Sequence, residues 1–232
     1  MNGKGWLAVV LAAAAGVVDA TGLAGVGRYS SHMTGTTTHS MVGATGGDPT
    51  LLLTGGVAVL CFVLGAIGAG IMITHPYARS PGATLSALIG LETALILAGG
   101  IAMAALMPAS WVPTIVVGFF AAAMGVQNAA SSYLLSPYER TTHVTSNMTD
   151  FGCEFGMRVR AWAGLGTGKG LASPDHETMM SALFPIFGFM AGALVGALLH
   201  LAIGTWSGFG AAVLPALVAL AAPGTMPRAK TA

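Results

Sequence analysis

Six stretches of this chain run for about twenty residues with hardly a charged side chain, the length a helix needs to cross the hydrocarbon core of a bilayer. They fall at 5–27, 50–73, 83–107, 111–135, 179–204 and 206–223. Charged residues make up only 7% of the 232 residues and apolar ones 54%, whereas a soluble domain carries roughly 25% charged residues. A water-soluble fold of this size has too few charges to cover its surface. The expected class is therefore an all-α membrane protein with six transmembrane helices, and the lipid bilayer is its first partner. The 34 glycines suit closely packed membrane helices, where small residues let backbones approach.

Several other classes are set aside on composition. A net charge of +1, without a basic run or aromatic-interleaved patch, implies no nucleic-acid partner. Cys61 and Cys153 lack the close neighbours of a metal or redox motif, so neither a metal site nor a disulfide is read. Gly166-Thr167-Gly168-Lys169-Gly170 fails the phosphate-loop pattern, because residue 163 is Ala and Gly170 stands where a hydroxyl residue is needed. No cofactor is expected. Lys4 followed by the apolar run Trp6 to Val18 has the outline of a signal peptide. The apolar character resumes after Asp19 and reaches Gly27, which favours a retained first span.

The basic residues orient the spans. With the N-terminus inside, Lys4, Arg79, Arg140, Arg158, Arg160, Lys169, Arg228 and Lys230 share the cytoplasmic side, and Arg28 alone falls outside. Adding or removing one span scatters them. Both termini are expected in the cytoplasm. Arg158 and Arg160 beside Trp162 read as an interfacial anchor.

The chain also repeats itself. Gly16-Val17-Val18-Asp19-Ala20 is answered by Gly125-Val126-Gln127-Asn128-Ala129. Ser30-Ser31-His32-Met33-Thr34 is answered by Thr141-Thr142-His143-Val144-Thr145, with a small residue following in each, Gly35 and Ser146. Phe62, Gly65 and Ala66 are answered by Phe189, Gly192 and Ala193. Three matches in one order argue for a duplicated three-helix unit, 1–107 and 108–232. An odd number of spans per unit makes the second copy enter from the opposite side. The expected arrangement is two inverted three-helix repeats, with one Thr-rich motif periplasmic and the other cytoplasmic, as in many secondary transporters.

These motifs, continued by Val144-Thr145-Ser146-Asn147-Met148-Thr149-Asp150, resemble the YoaK-like family of bacterial inner-membrane proteins, a domain of unknown function. The resemblance covers nearly the whole chain. It departs at Thr36, where an Asn commonly follows the Thr-Gly pair, and at Ser146, where the family usually keeps Gly. It implies a polytopic protein of the bacterial inner (plasma) membrane and no particular chemistry.

Candidate site residues are the polar ones in apolar surroundings. A carboxylate at mid-membrane costs about 2.5–3.5 kcal/mol on insertion scales. Asp19 must therefore face a cavity or a partner, or carry a proton. It reads either as a proton or cation site or as a bond tying the first span to the fourth through Asn128, its repeat mate. Glu92 faces the same cost and reads as a second proton carrier, or as a Glu solvated or bonded to a neighbouring helix. Gln127 and Asn128 cannot both face lipid, and suit a solute site or an interhelical clasp. Thr34, Gly35 and the following threonines, with Thr145, Ser146 and Asn147, suit broken or re-entrant segments lining a solute path, or loop capping. His32 and His143 are repeat mates able to titrate near neutral pH. A zinc site adding His39 and Asp19 lacks a convincing spacing. Gly188, Gly192 and Gly196 form a packing ridge, with Gly65, Gly68 and Gly70 in a similar role.

The resulting reading is a transporter of a small polar solute or ion, with Asp19 as coupling group and Asn128 as its neutral mirror. A passive channel is the first alternative, and a structural or regulatory membrane subunit another. A membrane enzyme is not expected, since no nucleophile sits in a recognisable setting. Six short spans make a thin bundle, which leaves a homodimer open.

Overall fold

The computed structural model describes residues 3–75, 80–135, 141–164 and 175–225, and these are helical without strands. The helices are α1 (Gly3–Val26), α2 (Met33–Thr45), α3 (Pro49–Ile73), α4 (Pro81–Leu106), α5 (Val112–Ala130), α6 (Val144–Trp162), α7 (His176–Ile203) and α8 (Ser207–Thr225). A π-helical turn, Ser131–Leu135, extends α5, and a 3-10 turn, Gly204–Trp206, joins α7 to α8. Arg79, Arg140, Lys169, Arg228, Lys230 and the Gly166–Gly170 stretch lie outside the described residues.

Five helical runs are long and apolar enough to cross a membrane. Four of them match the first four expected spans within a few residues. The fifth, His176–Gly224, is 49 residues long and contains both remaining expected spans. At 1.5 Å per residue, a single helix of that length would reach about 74 Å. The run instead turns at Gly204, whose φ of 57° suits a residue without a Cβ.

The starts of several helices are written locally. Asp48 accepts from the backbone N–H of Thr50 and Leu51, both at 3.0 Å, with Pro49 in the first turn. Ser80 accepts from Ala83 N–H at 3.2 Å ahead of Pro81. Asp175 accepts from Glu177 and Thr178 at the start of α7. Each supplies an acceptor to N–H groups that the helix leaves orphaned.

Two of the expected loops are helices. The polar stretches 28–49 and 136–178 contain α2 and α6. The Thr-rich motifs are not broken segments. They form the first turns of those helices, and their hydroxyls are satisfied on their own backbone. Thr38 donates to the Thr34 carbonyl and Thr149 to the Thr145 carbonyl, at 3.1 and 3.0 Å. Ser40 likewise donates to Thr36 O, and its hydroxyl sits where a Cβ on Gly55 of α3 would fall.

The packing exchanges partners between the halves. Gly188, Gly192 and Gly196 of α7 lie on the backbones of Val9, Ala13 and Val17 of α1 in ascending order, so those helices run parallel. Gly118 and Gly125 of α5 meet Val57, Cys61, Phe62 and Ala66 of α3 in the same sense. By contrast α1 and α5 run antiparallel, since Gly22 faces Phe120 while Leu11 faces Gln127. The pair α4 and α8 is also antiparallel. Gly100 abuts Gly208, and Ser86 donates to the Ala219 carbonyl, which Pro223 four residues on leaves without its helical N–H.

The expected packing ridge of α7 is present. Its counterpart on α3 is narrower than expected. Gly65 lies on Ala122, but a Cβ on Gly68 or Gly70 would meet nothing within 4 Å. Both point outward, as do Leu60, Leu64, Ile67 and Ile71 of α3 and Met190, Leu194, Leu198 and Leu201 of α7. A row of large exposed apolar chains on each outer helix suits lipid rather than water.

Candidate functional site

The candidate site residues buried inside the bundle fall into three groups, apart from hydroxyl contacts such as Thr54 with Thr114 and Ser207 with His200. The first surrounds Asp19, 7% exposed near the end of α1. Its Oδ1 accepts from the backbone N–H of Ser30 at 2.7 Å, the Ser30 hydroxyl at 2.9 Å and the backbone N–H of Ser31 at 2.9 Å. Three donors on one oxygen compensate the cost of burying the carboxylate. They also pin the turn between α1 and α2, which places His32 at the start of α2.

The second group repeats this device with neutral chemistry. Asn128 Oδ1 accepts from the Thr142 hydroxyl. Gln127 Nε2 donates to Leu11 O at 2.8 Å and to Thr141 Oγ1 at 2.9 Å. Thr141 in turn donates to Ser131 Oγ at 3.4 Å. The amides of α5 therefore hold the turn that leads into α6, with His143 at its start.

These partners correct the expected bond between Asp19 and Asn128. Each residue ties down its own turn. Because α1 and α5 are antiparallel, register sets the two about 10 Å apart along the bundle, beyond direct hydrogen bonding. Ser30, Ser31, Thr141 and Thr142 are the hydrogen-bond partners of these residues. In the sequence, both hydroxyl pairs directly precede the repeated histidine.

The histidines are likewise separated. His32 packs edge-on against Tyr29, with ring centres 5.8 Å apart, and its imidazole lies over Gly35, where a Cβ would come within 2.2 Å. Together with Arg28, Thr36 and His39 it lines a cavity of about 440 Å³ between α1, α2 and α3. His143 lines a different cavity of about 540 Å³ with Asn128, Tyr133 and the outer part of α3. They are not two faces of one site, because each follows the end of a helix and those helices point in opposite directions. Thr34 and Thr145 are exposed, whereas Asn147 is 1% exposed in the first turn of α6.

The third group is Glu92, at 0% exposure in the middle of α4. It is not solvated. Neither carboxyl oxygen has a hydrogen-bond partner among the described residues, and the same holds for Gln127 Oε1 and Thr21 Oγ1. Of the ten expected site residues, the structure thus brings Asp19 to Ser30, Gln127 and Asn128 to the turn before α6, and His32 to Gly35. The two cavities, lined by His32 and by His143, share no residue among the ten.

Comparison with known proteins adds one match. A family model described as a protein of unknown function (DUF1275) covers residues 7–222. No curated protein and no solved structure matches the chain.

Proposed function

The chain belongs to the DUF1275 family of proteins of unknown function, and on that premise we propose that it is a membrane transporter built from two inverted halves. It passes a small polar solute or ion by alternating access, with α1–α4 forming one half and α5–α8 the other.

The observation that carries this reading is the exchange of packing partners. A Cβ on Gly16 would fall 2.2 Å from Phe189 O, and one on Gly125 would fall 2.1 Å from Phe62 O. These are the repeat mates of the sequence, each glycine seated on the opposite half. When α1 to α4 are interchanged with α5 to α8, each principal packed pair maps onto another or, for α4 with α8 and α1 with α5, onto itself. The helix directions support six crossings, with α7 and α8 as separate spans. In this reading α2 and α6 cap opposite ends of the bundle, as a two-fold axis in the membrane plane would require.

Two further features fit transport. The 440 and 540 Å³ cavities lie toward opposite ends of the bundle, as entry points from either side would. Glu92 and Gln127 are sealed between them at 0% exposure, which favours an occluded centre over an open pore. The basic residues argue for cytoplasmic termini, and the family resemblance for a bacterial inner membrane.

The test is exchange by the purified full-length chain in liposomes loaded with a panel of small polar solutes and monitored for pH. Saturable flux that is accelerated by solute on the opposite side is expected. Non-saturating flux would assign a channel instead, and absence of any movement across the panel would overturn the reading.

A further inference from the structure

The geometry points to a proton-binding site at the centre of the bundle, in which Glu92 carries the proton and Gln127 receives its hydrogen bond. Three observations build it. Glu92 is fully buried, and both its oxygens lack partners. Gln127 is fully buried and has an orphaned Oε1. Helix register also sets the two residues on facing sides of α4 and α5.

That last point follows from helix register. A Cβ on Gly99 of α4 would fall 2.6 Å from the Phe120 ring of α5. Seven residues before Gly99 is Glu92, and seven after Phe120 is Gln127. Seven residues are nearly two whole turns, about 10 Å along the axis, and return to the same face within roughly 20°. In antiparallel helices both steps lead the same way. The neighbouring buried cluster agrees, joining Leu88 and Ile89 of α4 to Val126 and Ala130 of α5.

The orientation of the amide is fixed by chemistry. Leu11 O only accepts, so the nitrogen of Gln127 must lie toward it. Both N–H groups are then used, on Leu11 and Thr141. The oxygen that remains needs a donor, and Glu92 is a donor only as the carboxylic acid. Among the described residues no cationic side chain is placed against Glu92. Helices α5 and α8 carry no charged residue, and α3 contributes only Cys61 as a titratable group. On α1, Asp19 is committed to Ser30 and Ser31. Leaving a bare carboxylate in this site would cost far more than the acid bonded to an amide.

Loss of the proton reverses the logic of the pair. A carboxylate facing an amide oxygen is repelled, and the amide is favoured to turn its N–H toward the carboxylate. That turn withdraws both donors from Leu11 and Thr141. It frees α1 from α5 at that level and loosens the turn before α6. Glu92 thus binds a proton in the sealed state and gives it to water once the α4–α5 seam opens. That this proton drives solute movement rests on the transport reading, whereas its binding does not.

Infrared spectroscopy of the full chain in lipid at neutral pH tests the site. Wild type should show a protonated-carboxyl band that Glu92→Gln removes. Gln127→Leu should shift it to higher frequency, as a carboxyl that has lost its acceptor does. If Glu92→Gln does not assemble, carbon-13 glutamate in the wild-type chain identifies the same band. Absence of a glutamate band, or a band unmoved in Gln127→Leu, would overturn the proposal. A band that behaves as expected in a protein that moves no solute would overturn the transport reading alone.

Discussion

Adding one methyl group at Gly192 should separate two helices that no other contact replaces. A Cβ there would fall 1.9 Å from Ala13 O and 2.7 Å from its carbonyl carbon. A carbon rests against a carbonyl oxygen at about 3.3 Å, so α7 must back away by roughly 1.4 Å. The obstruction is backbone and cannot rotate aside. A gap of 0.5–1 Å already forfeits about a quarter to a half of a contact's dispersion energy, and in lipid that packing is the main force between helices. Overpacking costs about 1–3 kcal/mol. Taking ~2 kcal/mol for Gly192→Ala, the folded-to-unfolded ratio should fall about 30-fold. Gly65→Ala, whose Cβ would lie 2.1 Å from Ala122 O, should cost a similar amount, while Gly68→Ala meets nothing within 4 Å and should be neutral. Equilibrium unfolding in mixed detergent measures all three. Equal stability of Gly192→Ala, Gly65→Ala and wild type would refute the seam described here.

Other expectations concern the capped turns. Asp19→Asn keeps an oxygen for Ser30 and Ser31 but loses the charge, and should cost about 1 kcal/mol. Asp19→Leu leaves those donors buried and unpaired and should cost about 3 kcal/mol; equal effects in the unfolding assay would contradict the capping role. At the start of α7, hydrogen bonds from Thr178 and Glu177 hold the Asp175 carboxyl below its ordinary value of 3.8. A lowered value means its contribution is fully present above pH 3.8 and is lost as pH falls through the folded value. The stability gap between wild type and Asp175→Leu should therefore be constant near neutrality and close only in that acid range. A gap that closes nearer neutrality would show that another group is responsible.

The sequence revealed the spans because membrane solvation acts on composition alone, and any run of about twenty apolar residues is committed to lipid or core. Gly16 and Gly125, which the sequence pairs as repeat mates, are each constrained by backbone contact. Helices α2 and α6 were hidden. Threonine has weak helix propensity, and nothing local announces that Thr38 and Thr149 satisfy their hydroxyls on the preceding turn. Asp19 and Glu92 looked alike on the line of the sequence. What separates them is tertiary: one meets two serines eleven and twelve residues on, and the other is fully buried with no hydrogen-bond partner among the described residues.

The exchange of partners between the halves also governs how such a molecule is made. When residues 1–107 have entered the bilayer, α1 has delivered a face meant for α7, and α3 a face meant for α5, neither of which yet exists. The early helices must wait, separately stable in lipid because their backbone bonds are internal. Cohesion arrives with α5, which closes on α3 and α4 at once, and is completed when α7 seals α1. Helix α1 touches α5 at Gly22 and at Leu11 O, but its closest backbone seam exists only once α7 is present.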